Sequence, residues 1–242
     1  MNINSTLLQI GVMEVLVVRK PIKNLHLSIL PPNGRIRVTS PLQMKDDAIR
    51  VLVSTRIPWI RKQQKKFAGQ ERQSPRKYIS GETHYFFGKR YRLDVVYKDE
   101  PARVTVKGNT KIILQVRPKS SVEKREEVMT EWYRKELHPI ASALLDKWQT
   151  KVGVNVSMWG IKRMKTRWGT CNQKAGRVWL NLELAKKPLS CVEYVTVHEL
   201  IHLIERKHNE RFVKLMTKHL PKWRSSKEEL NALILAPERW NH

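Results

Sequence analysis

His198, Glu199 and His202 form an H-E-x-x-H pattern, and His208 lies six residues beyond His202. All four sit in VTVHELIHLIERKH, Val195 to His208, a largely apolar run. Burying that many polar groups without partners costs about 1–3 kcal/mol per group. A shared metal ion removes the cost. On a helix, a spacing of four puts two imidazoles on one face, about 5–6 Å apart at Cβ, so both rings reach one ion. Glu199 is turned by about 100 degrees from His198 and flanks the ion without having to ligate it. The pattern thus offers two zinc ligands and a general base.

A catalytic zinc takes three protein ligands and keeps a fourth position open. His208 is the candidate for the third. On a continuous helix, six residues rotate it by about 600 degrees, or roughly 240 net, away from the ion. The helix must therefore end between about Ile204 and Lys207 so that the chain swings His208 back. The polar run Glu205-Arg206-Lys207 permits this, and Asn209 can cap the next helix. Glu205, Glu228 and Glu229 are the alternative third ligands. Glu205 can also accept an imidazole N–H from behind a ligand ring. Three imidazoles suit one Zn2+ ion. Water beside such an ion has its pKa lowered towards about 7, and Glu199 can take that proton and return it to the leaving group.

The elements that must position these residues follow from periodicity and punctuation. After Pro188, Ser190 with Glu193 reads as a capping box that starts the histidine-bearing helix. A second helix begins near Asn209, with Phe212, Leu215 and Met216 on one face. Pro221 ends it, and KEELNALIL suggests a last helix. Upstream, Val178, Leu180, Leu182 and Leu184 alternate with Arg177, Trp179, Asn181 and Glu183, the pattern of a half-buried strand, entered through the turn NQKAG. Before it, the segment from Ser120 to Gly153 is helical in composition, with Ser120 and Glu123 as a capping box and Pro139 as a point of kinking.

The first half reads mainly as strands. HLSILPPNGRIRVTSP is a hairpin pattern, with Leu27 and Ile29 on one face, as are Ile36 and Val38. MKDDAIRVLVSTRIPWIRKQQKKF is a helix broken or restarted near Pro58. Gly81 to Pro118 reads as a small antiparallel sheet, and no internal repeat is visible. The expected fold is α+β. An antiparallel β-rich domain with one basic helix spans 1–118, and a minimal α+β catalytic domain spans 119–242.

Composition bounds the rest. Hydrophobic residues make up 40% of the 242 and charged residues 29%, enough apolar material for a core. Lys plus Arg total 47 and Asp plus Glu 22, so the formal charge is 47 − 22 = +25. Such a surface attracts nucleic acid, nucleotides, acidic proteins and anionic lipid; dispersed solubilising charge explains it equally well. The runs RKQQKKF and ERQSPRK, with Trp59, Phe67 and Tyr78 as stacking surfaces, are a candidate nucleic-acid footprint, against the plainer reading of a solvated helix face. There is no Walker A pattern, no paired-cysteine zinc finger and no RNP-like stretch. Cys171 and Cys191 have no CxxC spacing, which argues against a disulfide framework. No apolar run approaches the roughly 18–20 residues of a membrane span, and the N-terminus lacks a basic signal-peptide region. The expectation is a cytoplasmic protein.

MKTRWGTC (Met164 to Cys171), RVWLNLEL, YVTVHELIH, then His208 and Phe212, with GETHYFFGKRYRL further upstream, together resemble the YgjP-like zinc metallopeptidase family. That family is related to SprT-type and minigluzincin zincins. The resemblance implies a minimal zincin core behind a β-rich N-terminal domain, ligands at His198, His202 and His208, and Glu199 as base. It implies an extended polypeptide substrate lying along the RVWLNLEL strand through main-chain hydrogen bonds. Arg167 can meet a substrate carboxylate or phosphate, or be a solvated charge. Trp168 and Trp179 are further candidate substrate contacts, Trp168 alternatively packing the sheet. Cys171 reads as a small packing residue. Some YgjP-like proteins carry a UTP pyrophosphatase label and SprT-type relatives work near DNA. The resemblance therefore leaves two alternatives: nucleoside triphosphate hydrolysis at the same metal, and a nucleic-acid-associated module.

Overall fold

Alternating apolar residues along Met13–Lys20 and Arg35–Pro41 commit one face of each strand to a core. The computed structural model describes residues 4–30, 34–68, 76–164 and 167–232. It divides into two compact units, Met1–Arg72 and Gln73–His242.

In the first unit, strands β1 (Asn4–Ile10), β2 (Met13–Lys20), β3 (His26–Leu30) and β4 (Arg35–Pro41) precede helices α1 (Asp46–Thr55) and α2 (Ile57–Ala68). The strand order is β1-β2-β4-β3. Val15, Val17, Ile36 and Val38 from the sheet meet Ile49, Val53 and Ile60 from the helices in one core. The helix restarts at Ile57, so Pro58 falls in the first turn of α2, where a missing N–H removes no helix bond. The Pro-Pro-Asn part of the hairpin turn lies outside the described residues, as does most of ERQSPRK and the Phe67 side chain.

The second unit opens with β5 (Thr83–Phe86), β6 (Lys89–Tyr97), β7 (Arg103–Lys107) and β8 (Lys111–Val116), in the order β5-β6-β8-β7. This is the arrangement of the first sheet again. In both, the outer pairs are antiparallel and the central pair, β2 with β4 or β6 with β8, is parallel. The antiparallel expectation holds only for the outer pairs, because alternation fixes which face a residue takes and not which way its neighbour runs. The repeat is one of topology, which residue-by-residue comparison does not reveal.

Helix α3 (Val122–Val152) runs unbroken through Pro139. Its N-cap is Ser121, one residue later than the sequence suggests, with Oγ accepting from the Lys124 N–H at 3.2 Å. Beyond it come β9 (Met158–Lys162), β10 (Gly169–Asn172) and β11 (Arg177–Asn181), in the order β10-β11-β9. The alternation read as one strand to Leu184 stops at Asn181. Leu182–Lys186 winds instead as a 3₁₀ helix that buries Leu182, Glu183, Leu184 and Ala185 together. Helices α4 (Leu189–Ile201), α5 (Glu210–His219) and α6 (Trp223–Ala232) complete the unit. The Ser190–Glu193 capping box does not form. Ser190 Oγ bonds Glu229 at 3.0 Å, and Glu193 accepts from Lys147 and Trp148 at 2.7 and 2.9 Å.

The unit boundary lies after Arg72 and not after residue 118. Tyr91, Leu93, Ile112 and Leu114 from the second sheet share one core with Leu137 of α3, Val178 and Leu180 of β11, and Val197 and Leu200 of α4. The sheet covers its apolar face with the same α3 that supports the histidine helix. Among the described residues no helix is long and apolar enough to cross a membrane. Both cysteines are free.

Candidate metal centre

The site is made by the end of one helix. α4 stops at Ile201, and His202 is its C-cap residue. The N–H groups of Leu203 and Ile204 reach back three residues, to Leu200 O at 3.0 Å and Ile201 O at 2.9 Å. That tight turn breaks the helix slightly before the range expected from the sequence and redirects the chain. Asn209 then caps α5, its Oδ1 accepting from the Phe212 N–H at 3.0 Å. Between these two fixed points the chain returns His208 to the other histidines.

The three rings converge through the same atom. His198 Nε2 lies 3.2 Å from His202 Nε2 and 3.0 Å from His208 Nε2. One ligand atom from each ring falls within 4.8 Å of the others. A zinc ion about 2.0–2.1 Å from each nitrogen in tetrahedral geometry sets them roughly 3.3 Å apart. His202 Nδ1 donates to the Glu205 carbonyl at 3.0 Å. That bond puts the ring proton on Nδ1 and leaves the Nε2 lone pair facing its neighbours. Burial, with His202 and His208 nearby, pushes the His198 pKa down to about 3, and burial also lowers that of His202. Two imidazoles held neutral, with a third Nε2 converging on them, make a donor set that suits a divalent cation, so the residues present fit the ion.

Phe212, 3% exposed, packs against all three imidazoles. Its ring centroid is 4.9 Å from that of His198, 4.8 Å from His202 and 4.7 Å from His208. Tyr194, one turn before His198, meets that ring edge-on at 5.7 Å and stacks on Trp223.

Glu199 is 6% exposed and faces Gly169, the first residue of β10. Burial pushes its carboxyl up to about 8, against the opposing pull of Arg167. Arg167 is exposed. Trp168 packs half-buried against the core, with the Lys187 ammonium 5.4 Å from its ring centroid. Trp179 is not brought to the site. It pairs with Thr170, whereas Gly169 pairs with Leu180, so Trp179 takes the sheet face opposite to Glu199. There it rests on Gly160 with Lys162 over its ring. Behind His202 it is the Glu205 carbonyl that accepts the imidazole N–H. The Glu205 carboxylate instead accepts from the Lys207 N–H at 3.1 Å, because the turn after Ile201 aims the backbone at the ring. Glu229 is engaged by Ser190. Burial, then Glu199, pushes the Cys171 thiol up to about 11, which fits a packing residue. Of the proposed stacking residues, Tyr78 is buried and Trp59 is exposed.

The chain matches the YgjP-like metallopeptidase domain over residues 23–233. It belongs to the YgjP-like family. Among solved structures it is similar to the metallopeptidase zymogen abylysin of Pyrococcus abyssi, at 19% identity and a TM-score of 0.35, over 37% of this chain and 90% of that one. No curated protein sequence matches it. With its histidine trio, this YgjP-like chain is a metal-dependent hydrolase.

The YgjP-like site also uses residues that sequence reading passed over. Asn181 is fully buried. Its Nδ2 donates to Met164 O at 2.8 Å and Arg167 O at 2.7 Å, and its Oδ1 accepts from the N–H groups of Met164 at 3.2 Å and Glu183 at 3.1 Å. One amide thereby ties both ends of the Met164–Arg167 segment to the end of β11. In the sequence Asn181 occupies an ordinary polar position of the alternation, which gave no signal of this role.

Proposed function

We propose that the protein is a zinc-dependent metallopeptidase with Glu199 as general base. The observation that carries this reading is the convergence of three imidazole Nε2 atoms beside a buried carboxylate. His198, His202 and His208 would hold the ion. When bound, zinc supplies water acidified towards about 7 and polarises the carbonyl under attack. The charge of a bound cation would favour the ionised form of Glu199 over the raised value that burial alone gives it, and Glu199 would then take the proton of that water and deliver it to the departing amine. Arg167, exposed beside Glu199, binds a substrate carboxylate. β10 receives the peptide backbone: among the described residues no strand pairs with its outer edge, whereas β11, the strand first expected to do this, is flanked on both sides.

The test is a parallel assay against unfolded casein, peptide libraries and a nucleotide panel that includes UTP. Peptide cleavage should stop on chelation and return with zinc. Glu199→Gln should keep one zinc per chain by metal analysis and lose turnover by at least about a hundredfold. Wild-type turnover in that variant would remove Glu199 as base. Release of pyrophosphate from UTP with every peptide left intact would move the site to nucleotides. Polyanion binding that falls steeply with salt and is indifferent to Glu199→Gln would mark a nucleic-acid module instead.

A further inference from the structure

We infer that Gly169 is a positioning residue for Glu199, and that no larger side chain at 169 is compatible with a working base. The inference rests on the proposed role of Glu199 and names a second residue that the role requires.

The geometry is steric. A Cβ built on Gly169 would stand 2.6 Å from Glu199 Cγ, 2.6 Å from Oε1 and 2.8 Å from Cδ. Real carbon contacts are about 3.5–4.0 Å, so the whole side chain would have to leave, not its tip alone. Cγ is one bond from the Cβ that α4 fixes, and moving it means changing the first side-chain torsion in a site that is 6% exposed.

Nor can the strand retreat. Gly169 pairs with Leu180 in the β10–β11 ladder. The residue before it, Trp168, accepts the Asn181 N–H through its carbonyl at 2.9 Å. The Arg167 carbonyl is held by the Asn181 side chain at 2.7 Å. Backbone on one side and helix on the other leave a slot as wide as a glycine. The slot sets which way the carboxylate points. The backbone torsions of Gly169 do not demand glycine, since no left-handed φ occurs there; only the clearance does.

The test is Gly169→Ala, with Glu199→Asp and Glu199→Ala as partners. Gly169→Ala should lower kcat at least about tenfold, with KM and zinc stoichiometry unchanged, because the ligands are untouched and the base is displaced. Glu199→Asp still carries a Cγ in the place where Glu199 has one, 2.6 Å from the added Cβ, so it should not rescue Gly169→Ala. In the metal-free protein, Gly169→Ala should lower the melting temperature by about 2–4 °C when Glu199 is present and by less than half as much beside Glu199→Ala. The inference is overturned if Gly169→Ala keeps wild-type kcat, or if its melting loss is the same with and without the Glu199 side chain. Should the wild type cleave neither peptide nor nucleotide, the functional reading falls, and the melting cycle still decides whether the two side chains share one space.

Discussion

Phe212 is a residue whose contribution follows from what it touches. It contacts all three imidazoles, so its ring fixes their tilt relative to one another. Groups behind metal ligands commonly carry 10–100-fold in affinity. Phe212→Leu keeps the site apolar but removes the flat support. It should weaken zinc affinity by roughly tenfold or more, measured by competition with a chromogenic chelator, while the fold survives by circular dichroism. Unchanged affinity would reduce Phe212 to core packing. At this scale the histidine trio was legible because its spacing is local: four residues along one helix, then a break and a cap. Gly169 and Asn181 were not, since the groups they touch lie far along the chain or belong to backbone that sequence does not place.

At the scale of the element, β5 carries a titratable group sealed in the core. His84 is 1% exposed. Tyr78 lies against its ring at 5.7 Å, the Glu82 carboxylate is 3.4 Å from Nε2, and Arg76 and Lys186 bring positive charge. Burial first, then those two cations, push its pKa down to about 3 from an ordinary 6.5. The unfolded chain therefore takes up the proton before the folded one. The His84 contribution is intact above about 6.5 and is lost as pH falls from there towards 3. The melting temperature of the wild type should drop across that window more steeply than that of His84→Gln; parallel slopes would mean that the ring is already protonated when folded. Elements were read well where a punctuating residue does the work, as at Pro58, Asn209 and the NQKAG turn. They were misread where tertiary burial overrode a pattern: Leu182–Lys186 buries both sides of its alternation and coils, and Glu193 leaves its cap to bond Lys147 and Trp148.

The whole molecule divides after Arg72, and the division can be measured. A chain starting at Gln73 should fold cooperatively and bind one zinc. A chain starting at residue 119 lacks Tyr91, Leu93, Ile112 and Leu114, which share the core of the histidine helix. It should fail to fold, judged by loss of near-ultraviolet dichroism and of stoichiometric zinc. A folded, zinc-binding 119–242 fragment would restore the later boundary. The sequence suggested the later boundary because a sheet covered by its own domain and a sheet covered by the next helix show the same alternation.

The two four-stranded arrangements described above give the chain an internal control. One copy of the strand–strand–strand–strand–helix plan ends in a pair of short helices and owns no histidine cluster. The other continues into the three-stranded sheet and the histidine-bearing helices. Subtracting the first from the second leaves that sheet and the histidine cluster. The cluster is thus an appendage to a plan that can be built without it, and transplanting segment 158–219 is the change that would ask whether the plan alone suffices to host it.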